Sequence, residues 1–279
     1  LLIPPSNVMI TYALVSGGTS IAALFMAGYS PGILWGLACM LVVFVMARRY
    51  GYKSSERLSG REKGRMALQA IPSLLMIVIV IGGIIGGVFT ATEGAVVAVV
   101  YSLILSLVFY RSIRLGDLVQ IFKDSAETTG IIIFLIGVSS IMSWVMAFTG
   151  LPSAISAAML GISSNRYVIL IIINILLLII GTFMDMTPAC LIFTPIFLPV
   201  CQEIGMHPVQ FGIMMIFNLC IGTITPPVGT TLFVGVRVGN TRIEDVLRPI
   251  LWYFAAIFVV LLLVTNNVAK LTRGGESIV

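Results

Sequence analysis

Apolar runs of bilayer-crossing length recur from one end of the chain to the other, and no water-soluble fold buries so many of them. A spanning helix needs about 20 mostly apolar residues, so this length allows on the order of eight crossings or half-crossings. Of the 279 residues, 59% are hydrophobic and 10% charged, against about 45–50% and about 25% in soluble domains. The chain reads as a polytopic, all-α membrane protein whose first partner is the lipid bilayer.

Charge sets its orientation. Seven of the sixteen Lys and Arg residues, Arg48, Arg49, Lys53, Arg57, Arg61, Lys63 and Arg65, fall between two apolar runs. A short basic connection marks the cytoplasmic side. The net charge of +5 thus reports topology and gives no sign of a nucleic-acid partner. Cys39, Cys190, Cys201 and Cys220 stand singly in apolar surroundings without C-x-x-C spacing, which suits packing better than metal or redox chemistry. His207, before Pro208 at a helix start, takes a bland role at the membrane interface. Leu1 is not methionine and the opening apolar run passes straight into Pro4 and Pro5, so we expect the C-terminal part of a longer polypeptide.

Along the chain, a first crossing is expected from about Ile33 to Ala47, entered at Pro31. After the basic connection, Ile71–Phe89 carries Gly82, Gly83, Gly86 and Gly87, turns at Thr90 to Gly94, and returns through Ala95 to Tyr110. Leu115 to Glu127 alternates as an amphipathic helix lying along the interface. Ile131 to Phe148 forms another apolar segment, broken at Gly150-Leu151-Pro152, and Tyr167 to Ile180 is the most hydrophobic stretch. Beyond Gly181, an apolar segment interrupted at Thr194-Pro195 and Pro199 reads as a re-entrant hairpin, too short to cross as one straight helix. Pro249 opens the last crossing.

Val209 to Val238 is long enough to span, yet it holds Gly222-Thr223-Ile224-Thr225-Pro226-Pro227-Val228-Gly229-Thr230-Thr231 at its centre. Two consecutive prolines remove two amide donors and clash with the preceding turn. Unwound backbone at membrane depth is tolerated only inside protein or against a polar cavity. There, its carbonyls and the hydroxyls of Thr223, Thr225, Thr230 and Thr231 make a set of hard oxygen ligands for a small cation, and half-helix N-termini favour an anion. Leu2-Ile3-Pro4-Pro5-Ser6-Asn7 repeats the pattern. Paired breaks in two halves point to inverted repeats around a shared site. Asp185, an acid at the start of the hairpin, is either a helix cap or a functional group. Glu93, Asp124 and Glu127 belong to the interface. No nucleophile–base pair, metal triad or catalytic carboxylate pair suggests an enzyme.

At I-P-P-S (Ile3 to Ser6), G-G-V-F-T-A-T-E (Gly86 to Glu93), G-T-F-M-D-M-T-P (Gly181 to Pro188), F-T-P-I (Phe193 to Ile196) and I-G-T-I-T-P-P-V-G (Ile221 to Gly229), the chain resembles the large membrane subunit of tripartite ATP-independent periplasmic (TRAP) transporters, within the ion-transporter superfamily. One departure is Ala91, where the family usually has proline, so a less rigid backbone is expected there. The resemblance implies an inverted-repeat elevator carrier of the bacterial inner membrane with a re-entrant hairpin and unwound transmembrane helices. It implies sodium as coupling ion and no other cofactor, a small four-helix membrane subunit, and a periplasmic binding protein that delivers an organic acid. The first hairpin of that family lies before the I-P-P-S helix. Residues 1–19 and 181–239 then form the transport domain, with 20–180 mainly scaffold and arm helices and 240–279 an arm, the last crossing and a tail. The expected substrate and ion site comprises Pro4, Pro5, Ser6, Asn7, Asp185, Thr187, Pro188, Thr194, Pro195, Asn218, Gly222, Thr223, Thr225, Pro226, Pro227, Gly229 and Thr230, with sodium near Gly222, Thr225 and Pro226. A stand-alone carboxylate carrier of the same superfamily, a channel and a structural membrane subunit are the alternatives.

Overall fold

A computed structural model describes residues 1–51, 59–163, 165–226 and 229–271. In chain order its helices are α1 (Asn7–Val15), α2 (Ile21–Tyr50), α3 (Gly60–Ile85), α4 (Ala91–Ile104) continued by a π-helical turn (Leu105–Phe109), α5 (Asp117–Thr149), α6 (Leu151–Ile162), α7 (Arg166–Phe183), α8 (Met186–Glu203), α9 (Pro208–Gly222), α10 (Thr230–Val238) and α11 (Ile243–Leu271). No strand occurs among the described residues. Seven helices, namely α2, α3, α4 with its π-turn, α5, α7, α8 and α11, are long and apolar enough to cross a membrane. The chain divides into two compact units, Met46–Ile133 and the remainder.

In the unit Met46–Ile133, helices reach into the basic connection from both ends. Arg48 and Arg49 occupy the last turn of α2, while Arg61, Lys63 and Arg65 lie in the first turns of α3. Lys53 and Arg57 lie outside the described residues. Ser59 starts α3 with its N–H donating to Glu62 Oε2 at 2.8 Å. The turn after α3 falls at Gly86 to Phe89, earlier than expected. Thr90 there caps α4: its hydroxyl accepts from the Glu93 N–H at 3.3 Å and its own N–H donates to Glu93 Oε2 at 2.7 Å. This T-x-x-E box fixes the helix start, with Ala91 as the first residue of α4. Tyr101 then donates to the Pro72 carbonyl at 2.8 Å, and Tyr110 to the Gln69 carbonyl at 2.8 Å.

The amphipathic stretch after Leu115 is not a separate interfacial helix. It is the first part of α5, a single helix of 33 residues, because nothing between Glu127 and Ile131 stops propagation and Thr128 satisfies its hydroxyl on the Asp124 carbonyl at 2.9 Å. Single prolines behave in the same way. Pro31 and Pro249 lie inside α2 and α11 rather than opening them, and Pro195 and Pro199 lie inside an uninterrupted α8. Each removes one hydrogen bond. Helix α8 is held through that loss by packing against α1, α6 and α9, the tertiary support on which most helical stability depends.

The remaining unit is built around α9. Every residue from Val209 to Leu219 is buried, as expected for a helix apolar on all sides. It packs on α7, α8, α11 and α1. Tyr12 of α1 lies over Gly212, its hydroxyl donating to the Pro208 carbonyl at 2.6 Å. Trp35 of α2 meets Phe217 at a ring separation of 4.7 Å. From α11, the Thr265 carbonyl accepts from Gln210 at 3.3 Å. His207 supplies the N-cap, its Nδ1 accepting from the Val209 N–H at 3.3 Å.

Candidate functional site

Helix α9 ends at Gly222, and α10 does not begin until Thr230. The expected discontinuity is therefore present, with Pro227 and Val228 lying outside the described residues. The break is an organised turn. Thr225 donates from its N–H to the Gly222 carbonyl at 3.0 Å and from its hydroxyl to the Ile221 carbonyl at 2.7 Å. Gly229 donates to the Thr225 carbonyl at 3.1 Å, and Thr231 to the Thr223 carbonyl at 3.0 Å. The Thr223 hydroxyl is turned back to the Cys220 carbonyl at 2.8 Å. Thr225 and Pro226 are half-buried, whereas Gly222, Thr223 and Gly229 are buried. A threonine hydroxyl that donates its proton backwards keeps its lone pairs for a cation.

A second oxygen source reaches this break from α7. A β-carbon on Gly222 would lie 2.5 Å from both the Cα and the carbonyl oxygen of Gly181. Only a glycine pair lets the end of α7 touch the end of α9 backbone to backbone. Gly181 was missed by sequence reasoning, which singled out the threonines and prolines beside it. Two residues join α7 to α8, and Asp185 stands at the α8 N-cap, exposed and without a side-chain capping bond. The simple capping role is thus not realised. Thr187 and Pro188 follow, half-buried in the first turn of α8.

Other expected residues sit elsewhere. Thr194 is fully buried and donates to Met215 Sδ at 3.4 Å, so it bonds α8 to α9 inside the core, with Pro195 half-buried beside it. Asn218 donates to Asn174 Oδ1 at 2.7 Å and to the Met214 carbonyl at 2.8 Å, while Asn174 donates to the Leu170 carbonyl at 2.6 Å. This buried pair ties α7 to α9 one turn before the break. Asn174 was also missed, although a single amide in the most hydrophobic stretch of the chain was the available signal.

The first break, Pro4-Pro5-Ser6, precedes α1 as non-helical chain. It is seated on α2: the Leu2 carbonyl lies 2.6 Å from the β-position of Gly28, and the Ile3 side chain lies against Gly32. Pro4 and Ser6 are buried and Pro5 and Asn7 exposed. The buried Ser6 hydroxyl has no hydrogen-bond partner among the described residues, and neither does Asn218 Oδ1. Among the described residues no group of three or more His, Cys, Asp and Glu gathers as a transition-metal site would need. The oxygen donors here are carbonyls, hydroxyls and amides, which suit a hard monovalent cation.

The chain is similar over most of its length to known membrane transport proteins. A family model described as "Tripartite ATP-independent periplasmic transporter, DctM component" matches residues 1–269. The chain is 52% identical over 264 residues to "Uncharacterized protein YgiK" of Salmonella typhimurium, covering 95% of this chain and 60% of that protein. It is 40% identical over 265 residues to "Isethionate TRAP transporter permease protein DctMQ" of Oleidesulfovibrio alaskensis, covering 95% of this chain and 42% of the relative. It is 38% identical over 263 residues to "Sialic acid TRAP transporter large permease protein SiaM" of Vibrio cholerae, covering 94% of this chain and 61% of the relative. The chain thus spans about three fifths or less of the length of these curated relatives.

Proposed function

The chain belongs to the DctM component family of tripartite ATP-independent periplasmic transporters, multi-pass proteins of the bacterial inner membrane, and from that premise we propose that it carries an organic acid inward in symport with sodium. The break between α9 and α10, seated on Gly181, is the observation that carries this reading. The Thr225 hydroxyl, the carbonyls of the turn and the Gly181 carbonyl packed against Gly222 offer a donor set of the kind sodium takes in discontinuous helices. Helix α8 starts two residues after α7, with Asp185 exposed and Thr187 half-buried, and in this reading the N-termini of α8 and α10 and the nearby hydroxyls hold an anionic substrate. Pro4 to Asn7 supply the opposite half of the site.

The named substrates of the relatives, sialic acid and isethionate, are both organic anions and support an acid as cargo. Residues 1–19 and 181–239 form the moving part, with the segment beyond Gly181 as its re-entrant hairpin, and 20–180 with 240–279 the scaffold and arms, in an elevator movement. A small four-helix membrane subunit and a periplasmic binding protein complete the system. The test is flux into proteoliposomes holding the full transporter, its membrane subunit and its binding protein, with a panel of organic acids. Saturable uptake that needs an inward sodium gradient supports the reading. Uptake driven equally well without sodium refutes the coupling, and uptake without the binding protein favours a stand-alone carrier.

A further inference from the structure

The strongest concentration of charge in the protein lies away from this site. The stretch from Arg48 to Arg65 holds seven basic and two acidic residues, a net +5, which is the formal charge of the entire chain. The remaining nine basic residues are balanced by nine acidic ones. Within it, α3 begins with Arg61, Lys63 and Arg65 in its first six residues. Cations oppose the macrodipole at a helix N-terminus, so these residues are not placed for the benefit of the helix. The acid of that turn, Glu62, is engaged by the Ser59 N–H at 2.8 Å.

Every residue from Ser59 to Ala70 is exposed, on all sides of the helix. Among the described residues nothing covers this length, about 16 Å of helix before the apolar run at Ile71. Met66 and Leu68, 57% and 66% exposed, share it with the three basic residues. Apolar and cationic side chains interleaved on a bare helix at the mouth of a membrane crossing match the chemistry of the headgroup layer, where stems sit among acyl chains and cationic heads reach phosphate. The last turn of α2 adds Arg48 and Arg49.

We propose that the start of α3, with the end of α2, is a docking surface for anionic phospholipid headgroups of the cytoplasmic leaflet. Orientation by positive charge explains basic residues in this connection, but it does not require them to stand on an uncovered helical turn with apolar neighbours. Each basic residue near an anionic surface contributes roughly fivefold in association at low salt.

The test uses the full chain in phosphatidylcholine bilayers containing a trace of spin-labelled phosphatidylglycerol or phosphatidylcholine, and reads the motionally restricted fraction of each. Both leaflets carry the same lipid, so orientation does not enter. We expect phosphatidylglycerol to be enriched several-fold, with the preference lost between about 0.01 M and about 1 M salt as the screening length falls from about 30 Å to about 3 Å. R61Q/K63Q/R65Q should abolish most of it, R48Q/R49Q part of it, and R61K/R65K none. Absence of a preference in the native chain, or an unchanged preference in both neutralised variants, overturns the proposal. So does loss of a co-purifying membrane subunit at unchanged lipid selectivity, which would give the surface to a protein partner.

Discussion

Gly222 meets Gly181 with no room for a side chain between them: a β-carbon on Gly222 would stand 2.5 Å from the Gly181 Cα. The contact is asymmetric, since a β-carbon on Gly181 would have 3.2 Å to the Gly222 Cα. We therefore expect Gly222→Ala to cost about 1–3 kcal/mol through forced backbone movement and to raise the sodium concentration needed for uptake. Gly181→Ala should be milder in both. Thermal unfolding of the purified protein and sodium titration of flux check the order, and a Gly222→Ala protein with native values in both would remove the contact from the mechanism.

The Thr225 hydroxyl donates to Ile221 at 2.7 Å and offers its lone pairs to the ion. Thr225→Val nearly preserves volume while deleting that oxygen. Sodium affinity should fall by about an order of magnitude or more, about 1.4 kcal/mol being tenfold, whereas Thr225→Ser should stay close to the native value. Equal sodium dependence in all three proteins would mean that the hydroxyl serves only to end α9.

The Asn174–Asn218 pair predicts a measurable coupling between α7 and α9. Asn218→Leu strands Asn174 Oδ1 in the core, at about 1–3 kcal/mol for an unsatisfied buried group. Asn174→Leu does the same in reverse, and the double variant should recover part of the loss. A double-mutant cycle on unfolding should return about 0.6 to about 1.7 kcal/mol, the range for polar pairs between membrane helices. Strict additivity would contradict the pairing.

Ser59 is exposed at the start of α3, next to the basic turns. A Ser59→Cys protein should react with a membrane-impermeant thiol reagent in inverted vesicles and stay unmodified in intact cells with a permeabilised outer membrane. Labelling from the outside would reverse the assigned topology.

What could be read in advance divides on how many hydrogen bonds a residue removes. The Pro226-Pro227 pair deletes two neighbouring donors, and its helix does break. Pro31, Pro195, Pro199 and Pro249 each delete one, and all four were absorbed into helices by their surroundings. The start of α4 was legible only as the capping box of Thr90 and Glu93, so a turn expected at Thr90 to Gly94 came a few residues late. The division of α5 failed because a change from amphipathic to apolar texture at Gly130 does not itself interrupt a helix. Gly181 was hidden for a different reason: a chain with 27 glycines gives no local sign of which one meets another 41 positions away.

The enclosure of α9 also bears on how the protein is made. A ribosome delivers α7, α8 and α9 before α11, so Gln210 has to wait for its acceptor at Thr265 until the last helix has emerged. During that interval the most protected helix of the finished protein is its least complete, with a buried amide facing lipid or a chaperone. Chains stalled before Ile243 should therefore be the substrates of membrane quality control, and a pulse-chase of truncated nascent chains would find their half-lives short until the whole of α11 is synthesised.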